Sequence, residues 1–245
     1  MSRIKVKLFQ YRPGVRTKNF DRILESIEKG GFNIGIFPEL YFSGYLIRDN
    51  LNFSYITDYE LNRIREKLTD EMAIILGAPQ FDNFLYNSAF VITRNGWISY
   101  KKMHLPNFGP FEEKRYFKEG TTPLTFDLNG FKINVEICYD LFFDDPLVNG
   151  SDIIVNISAS PFTSRSYFEH VFPSIAVKKQ AYFIYVNTAG LQRNLIFWGG
   201  SRVIDPDGNT ILKLPYFTED SGVAVLDKDI INEARMKRKV LRDEA

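Results

Sequence analysis

The apolar positions of this chain follow two patterns, one alternating and one returning every three or four residues. Their order sketches the fold. "RIKVKLFQ" near the N-terminus alternates apolar and polar residues, which predicts a strand. "TKNFDRILESIEKGG" follows, and its Phe20, Ile23, Leu24 and Ile27 form one helical stripe that Gly30 and Gly31 terminate. "NIGIFPEL" is a short apolar run ended by Pro38, a buried strand that delivers Glu39 to a loop. Strand, helix, strand opens a layered α/β domain.

Further on, "DYELNRIREKL" predicts a weaker helix and "MAIILGAP" a strand. "NSAFVITRNGWISYKKMHL" reads as a hairpin whose two runs meet at Asn95-Gly96, the dipeptide favoured in tight type I′ turns. "PLTFDLNGFKINVEIC" repeats the pattern around Asn129-Gly130. "DIIVNIS" is another strand, and "FTSRSYFEHVFPSIAVKKQ" a helix that Pro173 should break or kink. "YFIYVNTAG", "GGSRVIDPDGNTILKLP" and "GVAVLD" complete the strands, and "DKDIINEARMKRKVLRDEA" predicts a terminal polar helix. No low-complexity linker, internal repeat or shift of composition divides the chain, so residues 1–245 are expected to form one domain. Many strands in mixed connection, with helices spread between them, suggest two packed sheets flanked by helices.

Charge narrows the partners. Lys and Arg together number 31 against 30 Asp and Glu, a net charge of +1 that gives no general reason to expect nucleic acid or an anionic membrane. The basic run "RMKRKVLR" reads as the solvated face of the terminal helix. "MSRIKVKLFQ" lacks a signal-peptide core, and no apolar run approaches the roughly 20 residues that span a bilayer. The single cysteine excludes an internal disulfide and suits a reducing compartment, so a soluble cytoplasmic protein is expected. The many Phe and Tyr residues are expected to fill two sheets and an interface.

That cysteine, Cys138 in "NVEICYDLFFDD", is crowded by Glu136, Asp140, Asp144 and Asp145. Negative charge opposes thiolate formation, so a reactive sulfur here needs help from elsewhere. Three residues stand where strands give way to loops: Glu39, Lys102 and Cys138, with Glu113 in the aromatic loop after Lys102. Singly, each has an ordinary structural explanation. Together they supply a nucleophile, an ammonium to favour the thiolate and an oxyanion, and a carboxylate to carry the proton. A Cys–His pair using His104 or His170 is the alternative. Asp144 and Asp145 lack a histidine cluster for metal binding and are expected to open a helix after Cys138. Glu136 falls on the Cys138 face of its strand and is expected to be a paired or hydrated structural acid.

In order and spacing, "IFPEL…SGY", "YKKMHLP" and "EICYD" resemble the glutamate, lysine and cysteine motifs of the nitrilase, or carbon–nitrogen hydrolase, superfamily. "NISASPF", "VNTAG" and "GGSRVIDPDG" extend the resemblance over nearly the whole chain. It is closest to the glutamine-hydrolysing domain of glutamine-dependent NAD synthetases, through "FPELYFSGYLIRD", "HLPNFGPFEEKRYF" and "VEICYDL". The resemblance implies an α-β-β-α sandwich and a Cys–Glu–Lys amidase that needs no cofactor or metal. In it Glu39 would be the general base, Lys102 the oxyanion-stabilising cation and Cys138 the nucleophile. Glu113 would help position lysine or substrate, the Tyr139 N–H would be a second oxyanion donor, and Tyr45 would support the site. It also implies a homodimer or larger assembly.

One segment departs from that pattern. After "SASPF" those glutaminases carry a short Gly-Lys segment and then an arginine that helps define the pocket for the amino-acid end of glutamine. Here "TSRSYFEHVF" follows, with Ser166 and His170 about where basic residues are expected and Arg165 offset. Loss of a guanidinium–carboxylate pair would weaken glutamine recognition. Ser158, Ser160 and Phe162 are still expected to line a pocket. No ATP-binding synthetase half is seen, so ammonia for NAD synthesis would pass to a separate synthetase. A nitrilase, a hydrolase of N-carbamoyl compounds, and an idle subunit that binds a partner are the competing readings.

Overall fold

A computed structural model describes residues 2–45 and 55–239. Two six-stranded mixed sheets pack face to face with helices outside them. The first sheet runs β14-β1-β2-β3-β4-β5, from β14 (Asp220–Asp227) and β1 (Arg3–Gln10) through β2 (Ile34–Ile36) and β3 (Ala73–Asp82) to β4 (Phe84–Thr93) and β5 (Gly96–Lys101). The second runs β13-β12-β9-β8-β7-β6, comprising β6 (Leu124–Leu128), β7 (Phe131–Ile137), β8 (Ile153–Ser158), β9 (Tyr182–Asn187), β12 (Arg202–Ile204) and β13 (Thr210–Lys213).

Strand alternation explains the layers. On β3, Ala73 and Ile75 face the core between the sheets, whereas Ile74 and Leu76 face α1 (Arg16–Lys29) and α2 (Asp58–Glu66). Both faces are covered, which is why β3 reads as a continuous apolar run rather than an alternation. Ile23 and Ile27 of the α1 stripe pack in that outer layer, and Gly30 closes the helix at φ +58. Thr57 and Glu60 form a reciprocal capping box at the start of α2. On the opposite side α4 (Arg165–Lys179) and α5 (Lys228–Lys237) add Phe168, Phe172, Ile175 and Ile231 to the core that contains the second sheet. The result is an α-β-β-α sandwich.

Several local expectations are corrected. Asn129-Gly130 is a two-residue turn between paired Leu128 and Phe131, with φ +51 and +81 as type I′ requires. The first hairpin instead turns at Arg94 and Asn95, and Gly96 at φ +149 already pairs with Thr93. Its first strand also begins earlier than expected, because β3 and β4 pair along ten residues around Asn83. Helix α4 runs unbroken through Pro173. Asp144 and Asp145 open no helix: Cys138–Phe142 is a short 3-10 turn, and the chain is irregular from 143 to 152. The hairpin of β10 (Ala189–Gln192) and β11 (Leu195–Trp198) was not foreseen, nor was the one-turn helix α3 (Glu113–Tyr116). The terminal helix ends at Lys237, and the rest of the basic run from 240 lies outside the described residues. No helix among the described residues is long and apolar enough to cross a membrane.

Candidate active site

The chain leaves β2 through Phe37 and Pro38, and Leu40 at φ +49 turns it sharply. This turn presses on β3 at Gly77, where a Cβ would meet the Pro38 carbonyl and come within 2.5 Å of Leu40 N. Only glycine lets the turn lie there, and the turn sends Glu39 into the interior with 1% exposure. Lys102 follows β5 and is fixed by its own backbone, since its N–H donates to Asn87 O at 2.8 Å and its carbonyl accepts from Gly120 N at 2.8 Å. Its ammonium, wholly buried, donates to Glu39 Oε1 at 2.7 Å and to both oxygens of Glu113 at 2.8 and 2.9 Å.

Two further residues complete this cluster. The Tyr45 hydroxyl donates to Glu113 Oε1 at 2.7 Å. Asn87, inside β4, donates from Nδ2 to Glu39 Oε1 at 2.7 Å and to Glu113 Oε2 at 3.2 Å. Sequence reasoning missed Asn87. A buried polar residue at the start of an apolar alternation was the only available signal.

The sulfur comes from the other sheet. Cys138 directly follows β7 at φ +49, a conformation that costs a non-glycine residue about 1–3 kcal/mol and is concentrated at functional sites. Its carbonyl accepts from Asn156 Nδ2 at 3.3 Å. The sheets are tied together at this point by Ala159 N, just past β8, which donates to Glu39 Oε2 at 2.7 Å.

Burial and charge set the protonation states. Burial lowers the Lys102 pKa, but Glu113 and Glu39 raise it by more, so the ammonium stays charged. Burial pushes Glu113 up to about 7; Lys102 opposes this and Glu39 adds to it. Burial also holds the Cys138 thiol well above its ordinary value, with Glu39 and Glu113 adding to the effect and Lys102 and Ser158 only partly offsetting it. The lysine was expected to favour the thiolate. It does so only in part, because two carboxylates already occupy its charge. The balance favours the thiol over the thiolate.

The crowding acids have hydrogen-bond or ion-pair partners of their own. Asp140 accepts from the Tyr100 hydroxyl at 2.7 Å, His104 N at 2.8 Å and Ile137 N at 3.2 Å, and burial raises its pKa to about 6. Glu136 is fully buried, accepts from Asn156 Nδ2 at 2.9 Å, and is pushed by burial to about 8. Asp144 and Asp145 face outward to Lys178 and to His104 Nε2. The histidine rings are engaged elsewhere: His104 also stacks on Phe143, and His170 Nδ1 lies 2.5 Å from Ser166 O. Among the described residues no group of His, Cys, Asp and Glu could hold a metal ion.

Cys138 lines a cavity of about 520 Å³ together with Tyr139 and Ser160. Ser158, expected to line the pocket, is instead fully buried outside the lining and donates to Asn156 Oδ1 at 2.7 Å. Phe162 is about half exposed, with its ring 5.5 Å from that of Phe217, and is not part of the lining. The site thus combines a cavity-lining sulfur, a fixed ammonium and two buried carboxylates whose charges act on that sulfur.

Comparison with known proteins decides the family. The carbon-nitrogen hydrolase family model matches residues 5–236. The chain belongs to the carbon–nitrogen hydrolase family. The chain is 33% identical over 234 residues to the glutamine-dependent NAD(+) synthetase of Aquifex aeolicus, covering 90% of this chain and 41% of that protein. It is 26% identical to a nitrilase of Pyrococcus abyssi, covering 95% of this chain and 93% of that one. The structure of glutamine-dependent NAD+ synthetase from Acinetobacter baumannii superposes with a TM-score of 0.83 at 28% identity, over 94% of this chain and 46% of that chain. The chain therefore spans less than half the length of the synthetases it matches.

Proposed function

We propose that this carbon–nitrogen hydrolase is a Cys–Glu–Lys amidase that converts a small primary amide and water to a carboxylic acid and ammonia. The observation that carries this reading is the Lys102 ammonium bridging Glu39 and Glu113, all three acting on the charge of Cys138, which lines a cavity. Cys138 Sγ attacks the amide carbonyl while its proton passes to Glu39. The tetrahedral oxyanion is stabilised by Lys102 Nζ and the Tyr139 N–H. Glu39 returns the proton to the departing amine as the C–N bond breaks, leaving a thioester and ammonia. Glu39 then takes a proton from water, the resulting nucleophile cleaves the thioester, and the proton returns to the sulfur.

A neutral thiol suits this sequence. A concerted proton transfer from thiol to carboxylate avoids placing a thiolate beside two buried carboxylates. Glu113 and Asn87 hold Lys102 and Glu39 in register, and Tyr45 holds Glu113.

The reading is tested by incubating the protein with primary amides, assaying ammonia, and weighing the quenched protein for an acyl adduct. Ammonia release and a Cys138 thioester are expected, both absent from Cys138→Ala. If no amide yields ammonia or an adduct while an alkylating reagent still labels Cys138, the amidase reading is wrong and a partner-binding subunit takes its place.

A further inference from the structure

Outward from Cys138, the cavity wall is aromatic. Phe108, Phe111, Tyr139, Phe142, Tyr167 and Phe168 line it, and all but Tyr167 form one chain of ring contacts. Centroids lie 5.5 Å apart for Phe108–Phe111 and Phe108–Tyr139, 5.8 Å for Tyr139–Phe142 and 5.2 Å for Phe142–Phe168. At the mouth Phe108 is 54% exposed and Tyr167 68%. Large rings left in water around a cavity mark a surface that a ligand covers.

The described lining contains no Asp, Glu, Lys, Arg or His. An α-amino acid end brings both an ammonium and a carboxylate, and a pocket that desolvates them must supply opposite charges. Among the described residues, the neighbouring cations already have partners. Arg165 and Arg202 both pair with Glu169, at 3.3 and 2.6 Å, and Lys178 with Asp144. Lys102 is shared by two carboxylates.

We propose that the acyl group accepted here is uncharged and carries an aromatic ring, so that the substrate is an arylalkyl primary amide and not an α-amino acid amide such as glutamine. This rests on the amidase reading for its chemistry, while the recognition rests on the cavity alone. The ring would stack among Phe108, Tyr139 and Phe142 while the carboxamide reaches the sulfur.

The test compares 3-phenylpropionamide, propionamide and L-glutamine at equal concentrations. The value of kcat/KM for 3-phenylpropionamide is expected to exceed both others at least tenfold. Phe108→Ala and Tyr167→Ala, which alter rings at the surface, are each expected to lower the ratio of 3-phenylpropionamide to propionamide turnover about fivefold. Glutamine or propionamide matching 3-phenylpropionamide overturns the inference. Calorimetric titration of Cys138→Ala with the same three compounds separates recognition from chemistry. Tighter binding of 3-phenylpropionamide without turnover by the native protein keeps the inference and removes the amidase reading; equal or absent binding of all three removes the inference.

Discussion

Glu39 and Glu113, both placed by the first sheet and the loop after it, share one buried ammonium and two amide hydrogen bonds from Asn87. Glu136, on the second sheet and equally inaccessible, has the Asn156 amide and no cation, and its Oε2 has no partner among the described residues. Both regions bury carboxylates, but only at Glu113 does a cation oppose the effect of burial, whereas at Glu136 the Asn156 hydrogen bond alone does so. Burial alone protonates an acid; a fixed ammonium is what preserves a basic oxygen inside a protein. The acids around Cys138 that look obstructive in sequence are tolerated because they are held as neutral or hydrogen-bonded groups.

Removing the ammonium tests the contrast most severely. Lys102→Met leaves Glu39 and Glu113 without their cation, and should abolish ammonia release and destabilise the fold by about 3–5 kcal/mol at pH 8. Because the Glu113 pKa is raised to about 7, the loss should be smaller at pH 5, where that carboxyl carries a proton. Urea unfolding at the two pH values measures this; an equal loss at both would show that charge balance is not what Lys102 supplies.

A smaller effect is expected from Gly77→Ala. The added methyl must displace the Pro38–Leu40 turn, lowering kcat about tenfold and stability by about 1–3 kcal/mol. Unchanged kinetics would mean that the turn does not fix Glu39.

The smallest effect on turnover belongs to Glu136→Gln, whose amide keeps the bond from Asn156. Its carboxyl has a folded pKa of about 8 against an ordinary 4.5, so the folded protein holds a proton that the unfolded chain releases between those values. The native side chain therefore loses stability as pH rises through that window. The variant should be more stable by roughly 1–3 kcal/mol at pH 9 and change kcat less than threefold. Thermal melts from pH 5 to 9 that run parallel for the two proteins would contradict it.

Much of this contrast was legible in the sequence, and the reason is local. Glu39, Lys102 and Cys138 each end an apolar run, so strand periodicity alone places them at loop entrances. Asn87 and Ala159 N act across strands and across sheets, and one-dimensional periodicity carries no record of such pairings. Turns divide in the same way. Asn129-Gly130 follows from its own dipeptide, whereas Asn95-Gly96 is overridden by the pairing of Thr93 with Gly96. The helix expected at Asp144 fails because the favourable end charges have no helical stripe behind them, and the short strands β10 and β11 carry too little alternation to be recognised.

The hydrogen bond from Ala159 N to Glu39 Oε2 joins residues 120 apart in sequence. During folding it forms only when the two sheets dock, a contact of long loop closure that comes late. A half-folded chain would carry an ordinary solvent-bathed thiol with a pKa near 8.5, open to any alkylating reagent. Recovery of turnover after denaturation should consequently lag behind recovery of β-sheet circular dichroism, making the chemistry a timer for the last step of assembly.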